Sequence, residues 1–235
     1  MTIEIYPVKG IPEATEGDDV AEMVLGGLAT SELTLHDGDV VVITHKLVSK
    51  AEGAVVELDD PGPDGHRYLV EEEAASILRR RDALVIAQTR HGFVCANAGV
   101  DRSNVGAGTA ILLPRDPDAS AHRARRRIEQ ALGVRIGVVV TDTFGRAWRR
   151  GLTDVAIGVS GIPAIVDYRG TTDTHGNELI VTEVAVVDEI AAAADLVMGK
   201  ATGVPAAVVR GLQLERSETS RATDLVRPAA EDMFR

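Results

Sequence analysis

Apolar and polar positions alternate along this chain in two rhythms. DVVVITH (39–45) follows the turn HDGD, and its β-branched run predicts a strand. LVSKAEGAVVEL (47–58) predicts a strand pair, or one strand bent at Gly53. DDPGPDG (59–65) is a turn-rich loop. YLVEEEAASILRRR (68–81) predicts a helix, with acids early and arginines late as the helix dipole prefers. ALVIAQT (83–89) and TAILLP (109–114) predict strands. Asp116 is placed to cap a helix with Pro117 at its first position. Ala121, Ala124, Ile128 and Leu132 then recur at helical spacing, and Gly133 ends the helix. VRIGVVV (134–140) predicts a strand that gives way to TDTFGR, and DVAIGV (154–159), AIVDY (164–168) and VPAAVVRG (204–211) are further strands. DEIAAAADLVMG (188–199) is an acid-started helix. The charged tail is expected to pack through Leu225, Val226 and Phe234. Strands outnumber helices without regular interleaving, which predicts α+β: mixed or antiparallel sheets with flanking helices. No repeat or linker divides residues 1–235, so one domain is expected.

Composition narrows the chemistry. Aromatic residues are 3% of the chain, so Val, Ala, Leu and Ile must fill the core. A net charge of −11 disfavours nucleic acid, whose phosphates attract basic surfaces. One cysteine excludes an intrachain disulfide and a cysteine-cluster zinc site. No apolar run reaches the roughly 18 residues that would span a membrane, and the N-terminus lacks a signal peptide's basic flank, so a cytoplasmic protein is expected.

Several motifs fail on inspection. GKAT (199–202) has Ala194 and Ala201 where a P-loop needs glycine and a hydroxyl residue, and it follows a helix rather than a strand. GAG (106–108) lacks the third glycine of a dinucleotide fingerprint. Cys95 reads as a small buried thiol rather than a nucleophile. Two polar segments remain, GVDRSN (99–104) and TDTFGR (141–146), each expected to be a loop after an apolar strand. Asp101 and Asp142 are hard oxygen donors suited to magnesium or manganese; Thr143 adds a hydroxyl and Asn104 an amide. Turn capping explains the same aspartates from spacing alone. Arg146, Arg149 and Arg150 form either an anion site or a solvated loop. Lys46 and Lys50 are spaced to share a face, where a lysine serves as a point charge on phosphate.

GIPEATEGDD, THKLVSKAEG, HGFVCANAGVDRSNV, TDTFGRAWRRG, DYRGTTD and VMGKATGVP occur in this order. Together they resemble the coenzyme F420-0:L-glutamate ligases, also called F420:γ-glutamyl ligases, over almost the whole chain. The resemblance implies a mixed α+β fold in an intertwined homodimer. It implies a GTP-dependent acid–amino-acid ligase that builds the γ-linked glutamate tail of a deazaflavin coenzyme. On the matching motifs, Ile11, Pro12, Glu13, Ala14, Lys50, Asn104 and the segment Met198, Gly199, Lys200, Ala201, Thr202, Gly203, Val204 and Pro205 contact GTP. His45 joins them, standing where some members place serine. Asp101, Asp142 and Thr143 hold a divalent metal, magnesium or manganese, with potassium a further candidate ion. Some members carry a second, nitroreductase-like flavin domain; this sequence ends before one, and no flavin chemistry is expected of it.

The implied chemistry transfers the γ-phosphoryl group of GTP to the coenzyme's carboxylate, and the glutamate amine then displaces phosphate. Lys50 and Asp142 are the catalytic charges, and no covalent protein nucleophile is needed. Two rivals stand beside this reading: another metal-dependent phosphoryl-transfer enzyme on the same scaffold, and a non-catalytic nucleotide-binding protein.

Overall fold

The structure, a computed structural model, describes residues 2–62 and 64–233. Strand β1 (Glu4–Val8) and helix α1 (Val20–Thr30) open the chain. The Asp19 carboxylate caps α1 by accepting from the N–H groups of Ala21 and Glu22, donors that have no partner inside the helix. Strand β2 (Val40–Thr44) then runs directly into helix α2 (His45–Ala51). The strand pair or bent strand expected over 47–58 is therefore wrong in its first half. Leu47, Val48 and Ala51 follow helical spacing and are buried, and only β3 (Val55–Glu57) is extended.

The helix expected over 68–81 also splits. Helix α3 (Arg67–Glu73) stops at Ala74, and β4 (Ala74–Arg81) pairs antiparallel with β5 (Leu84–Thr89). Most of β4's side chains are exposed, so the segment offers no buried helical face, while pairing with β5 satisfies its backbone. Strands β6 (Val94–Ala96) and β7 (Thr109–Ile111) follow. Helix α4 (Pro117–Leu132) begins and ends as predicted, with Asp116 accepting from Ala119 N–H and Gly133 at φ 71°. Strands β8 (Gly137–Arg146) and β9 (Arg149–Ser160) form a long hairpin. TDTFGR is thus paired strand, not the loop expected, because its backbone finds partners in β9. The short pair β10 (Val166–Asp167) and β11 (Glu183–Val184) leads to helix α5 (Val186–Met198) and strand β12 (Ala206–Arg210).

Five strands make the main sheet in the order β1-β12-β2-β8-β9. Only β2 and β8 are parallel neighbours, so the sheet is mixed, as the α+β reading requires. Strand alternation divides the core between its two faces. Val41, Ile43, Val138, Val140 and Val208 face α1 and α4, whose Val24, Leu28, Ala121 and Ile128 pack on them. Val40, Val42, Val139, Ala207 and Val209 face α5, whose Val187, Ile190 and Met198 cover the other side. Gly158 lets α4 approach closely: a Cβ there would lie 2.4 Å from the Pro117 carbonyl oxygen. A separate cluster of Leu58, Leu69, Val70, Val85, Ala87 and Val100 stabilises the β4–β5–β6 meander. In the tail, Leu225 and Val226 pack against the main cores as expected; Phe234 lies outside the described residues. Among the described residues no helix is long and apolar enough to cross a membrane.

Candidate functional site

The two parallel strands β2 and β8 set Thr44 beside Thr141 at their C-terminal ends. Ligands of open α/β sheets gather at such ends. A cavity of about 470 Å³ opens there. The N-terminal segment Ile11–Ala14, the first turns of α2, the Thr141–Thr143 stretch of β8, and the loop after α5 form its walls.

Helix α2 holds two lysines one turn apart, and each is tied to the 101–104 turn. Lys46 Nζ lies 2.7 Å from Asp101 Oδ2 and donates to Ser103 Oγ at 2.7 Å. Lys50 Nζ donates to the Asn104 carbonyl at 2.8 Å and pairs with Glu13. The turn itself is closed by Asp101, whose Oδ1 accepts from Ser103 N–H at 2.7 Å. Burial raises the Asp101 pKa, but Lys46 and the Ser103 N–H outweigh it and hold the carboxyl below its ordinary value. Asn104 takes φ 55°, a left-handed conformation that asparagine tolerates better than most residues. Its side-chain amide donates to the Lys200 carbonyl at 3.4 Å. The glycine- and asparagine-rich stretch thereby links α2 to the loop after α5.

Asp154 of β9 is 2% exposed and pairs across the hairpin with Thr143 of β8. It accepts from Thr143 Oγ1 at 2.6 Å and from Lys200 Nζ at 2.6 Å. Lys200 Nζ also lies 2.8 Å from Asp195 Oδ1. Burial would lower the Lys200 pKa; Asp154 and Asp195 outweigh it and hold the ammonium above its ordinary value. His45 is buried, with Nε2 3.2 Å from Asp142 Oδ1 but not directed for a hydrogen bond, and Nδ1 3.3 Å from Ser49 Oγ. The cavity lining therefore sets three ammonium groups, Lys46, Lys50 and Lys200, among four carboxylates, Glu13, Asp142, Asp154 and Asp195, so a polyanion there would need added positive charge beside the lysines.

Residues 10–211 match the profile of the family described as F420-0:Gamma-glutamyl ligase. The chain belongs to that family. It is 43% identical to a coenzyme F420:L-glutamate ligase of Methanopyrus kandleri, with 100% of this chain and 98% of the relative aligned. It is 41% identical to the protein of that name in Methanothermobacter thermautotrophicus, over 100% of both chains. The Archaeoglobus fulgidus protein of that name is 40% identical over 100% of this chain and 97% of its own length.

Most residues that the family resemblance marked for the nucleotide converge on one cavity of this F420-0:Gamma-glutamyl ligase family member. Ile11, Pro12, Glu13, Ala14, His45, Lys50, Asn104, Gly199, Lys200, Ala201, Gly203, Val204 and Pro205 line it, with Asp142 and Thr143. Met198 and Thr202 do not. Met198 packs in the α5 core, and Thr202 Oγ1 donates to its carbonyl. Asp101 stands behind Lys46 rather than on the wall. Arg146, Arg149 and Arg150 lie at the exposed hairpin end, where Arg146 donates to the Arg150 carbonyl at 2.7 Å, away from this cavity. Asp154 and Asp195 were missed by sequence reading. Their signal was an acid opening the apolar strand DVAIGV and one acid inside the apolar helix run AAAADLVMG. Cys95 is buried as expected; burial, with Asp142 nearby, pushes its thiol pKa up to about 12.

Among the described residues no three His, Cys, Asp or Glu side chains converge into a ready metal cage. Magnesium commonly takes one or two carboxylates and completes its shell with water and substrate phosphate. Asp142 and Asp101 contact the first turn of α2 at His45 and Lys46 respectively, and a site of that incomplete kind would draw on them.

Proposed function

We propose that this chain is a GTP-dependent ligase that joins L-glutamate to coenzyme F420-0. One observation carries the reading: in a chain aligned end to end with named F420:L-glutamate ligases, Lys46, Lys50 and Lys200 meet Asp142 at one cavity. Amide formation needs an activated carboxylate, since oxide is a hopeless leaving group. The γ-phosphorus–oxygen bond of GTP breaks as the coenzyme carboxylate attacks, giving GDP and an acyl phosphate. The glutamate amine then attacks the acyl carbon, phosphate departs, and the amine loses a proton to solvent.

In this scheme Lys50 and Lys200 bind the triphosphate as fixed point charges, oriented by Glu13, Asp154 and Asp195. The Ile11–Ala14 segment, Asn104, and the 199–205 loop grip the rest of the nucleotide. A bound magnesium or manganese ion, held by Asp101, Asp142 and Thr143 Oγ1, would neutralise charge on the transferring phosphoryl group. His45 lies against Asp142 on the same cavity wall. The family resemblance also supports a homodimer and the addition of further γ-linked glutamates.

Phosphate release tests this reading. With GTP and magnesium present, release should require both F420-0 and glutamate. Release at the same rate with either acceptor omitted, or none under any condition, contradicts it.

A further inference from the structure

A second cavity, of about 710 Å³, is larger than the polar one and of different character. Phe93, Phe144, Trp148, Ile86, Val155 and Leu225 line it. Aromatics are only 3% of the chain, so three on one wall concentrate a scarce resource. Phe93 and Phe144 meet edge-on with centroids 6.4 Å apart. Arg79 and Arg227 are balanced in the lining by Asp188 and Asp232, so the apolar wall rather than net charge selects what enters.

The β8–β9 register joins this cavity to the polar one. Asp142 lies directly opposite Val155, and Phe144 is two residues further along the same strand. Asp142, Val155 and Phe144 therefore share one face of the hairpin. Asp142 lines the polar cavity while Val155 and Phe144 line the apolar one. A ligand spanning both would turn from aromatic to charged surroundings at Asp142. No other cavity described has that position: the one near Glu52, Arg90 and His91 touches neither β8 nor β9.

We infer that the apolar cavity seats the ring system of the carboxylate acceptor, a flat fused heteroaromatic, with its carboxylate reaching the Asp142 end. The inference rests on the ligase reading above. A planar ring stacked on Phe144 and Trp148 would gain aromatic contact without displacing a buried charge. The acceptor would then meet the γ-phosphoryl group where the two cavities join, with the nucleotide held wholly on the lysine side.

Two variants test the seat. Trp148, 82% exposed, can be shortened with little risk to folding, as Trp148→Ala. Val94, 40% exposed and on the same wall, can be enlarged from the solvent side as Val94→Trp, which fills the space. Trp148→Ala should raise KM for F420-0 about tenfold by removing one stacking partner, Val94→Trp should raise it at least as much by occupying the seat, and both should leave KM for GTP within about twofold. Trp148 is the chain's only tryptophan, so F420-0 without GTP should also quench wild-type emission in a saturable way. If the wild type turns over F420-0 but both variants keep its KM, the seat is wrong and the ligase reading stands. If the wild type neither binds nor turns over F420-0, the ligase reading fails and the seat falls with it. If Trp148→Ala converts a dimer to monomer with F420-0 affinity unchanged, the face belongs to a second copy and the inference is overturned.

Discussion

Replacing Asp154 by asparagine removes one charge from the site and almost no volume. The carboxylate is buried and accepts from Thr143 Oγ1, from Lys200 Nζ, and from Thr141 Oγ1 at 3.4 Å. Asparagine keeps one oxygen for Thr143 and Lys200 and turns an amide toward Thr141, whose hydroxyl can accept. The hydrogen-bond count is nearly conserved; the charge assistance is not. A hydrogen bond to a charged group contributes about 1.5–3 kcal/mol against about 1 for a neutral one. Lys200 is 54% exposed, so solvent screens the difference, and the stability cost should be about 1 kcal/mol or less. For a chain of this size that lowers Tm by roughly 2–4 °C.

The effect on turnover should be larger. Lys200 keeps Asp195 as its remaining anion, so its ammonium should shift toward α5 and away from Thr143. Losing such an orienting partner typically costs about 10- to 100-fold, by analogy with carboxylates that orient metal ligands. Phosphate release measured across GTP concentrations should show the loss mainly as a raised KM for GTP, since a fixed charge on the triphosphate acts in the bound substrate as well as in the transition state. A variant within about threefold of wild type in kcat/KM would refute the argument that Asp154 orients the site. A fall in Tm of more than about 10 °C would show instead that its role is structural.

Other outcomes follow from the same geometry. Asp142→Asn should lower turnover about a hundred- to a thousandfold with Tm nearly unchanged; turnover within about threefold of wild type would show that its charge plays no part in the reaction. Cys95, with its thiol pushed up to about 12 by burial, stays protonated at pH 8, so alkylation should need unfolding in guanidinium; rapid labelling of the native protein would contradict the buried setting. Arg125 is wholly buried and bound to Ser160, Glu129 and Glu218, so Arg125→Met should cost up to about 3 kcal/mol by leaving Arg216 as the remaining cation for both carboxylates, read as a lowered melt. Light scattering should give twice the chain mass if the proposed homodimer forms, and a monomer at micromolar concentration would count against it.

Much of this architecture was legible where local rules and burial agree. Asp116, Pro117 and Gly133 bounded α4 correctly because cap chemistry is local. The valine runs marked β2, β8 and β12 because strands buried on both faces are continuously apolar. Errors arose where a distant partner decided the outcome. Residues 74–81 have helix-forming character, yet β5 pairs with them. TDTFGR looked like a loop, yet β9 pairs with it. Asp118 reads as one more acid in a first helical turn, but its Oδ1 accepts from Val159 N–H and Ala222 N–H, two distant segments. In the site, ordered motifs pointed to Lys50, Asn104, Asp142 and Lys200, which the fold does bring together. Asp154 was illegible because its importance comes from β-register opposite Thr143, which no single segment encodes.

The most direct test of the central claim is the mass of the product. F420-0 incubated with this protein, GTP, magnesium and L-glutamate should gain mass in whole glutamyl units, with GDP and phosphate formed in step. Unchanged coenzyme mass with folded protein, across magnesium and manganese, would contradict the account.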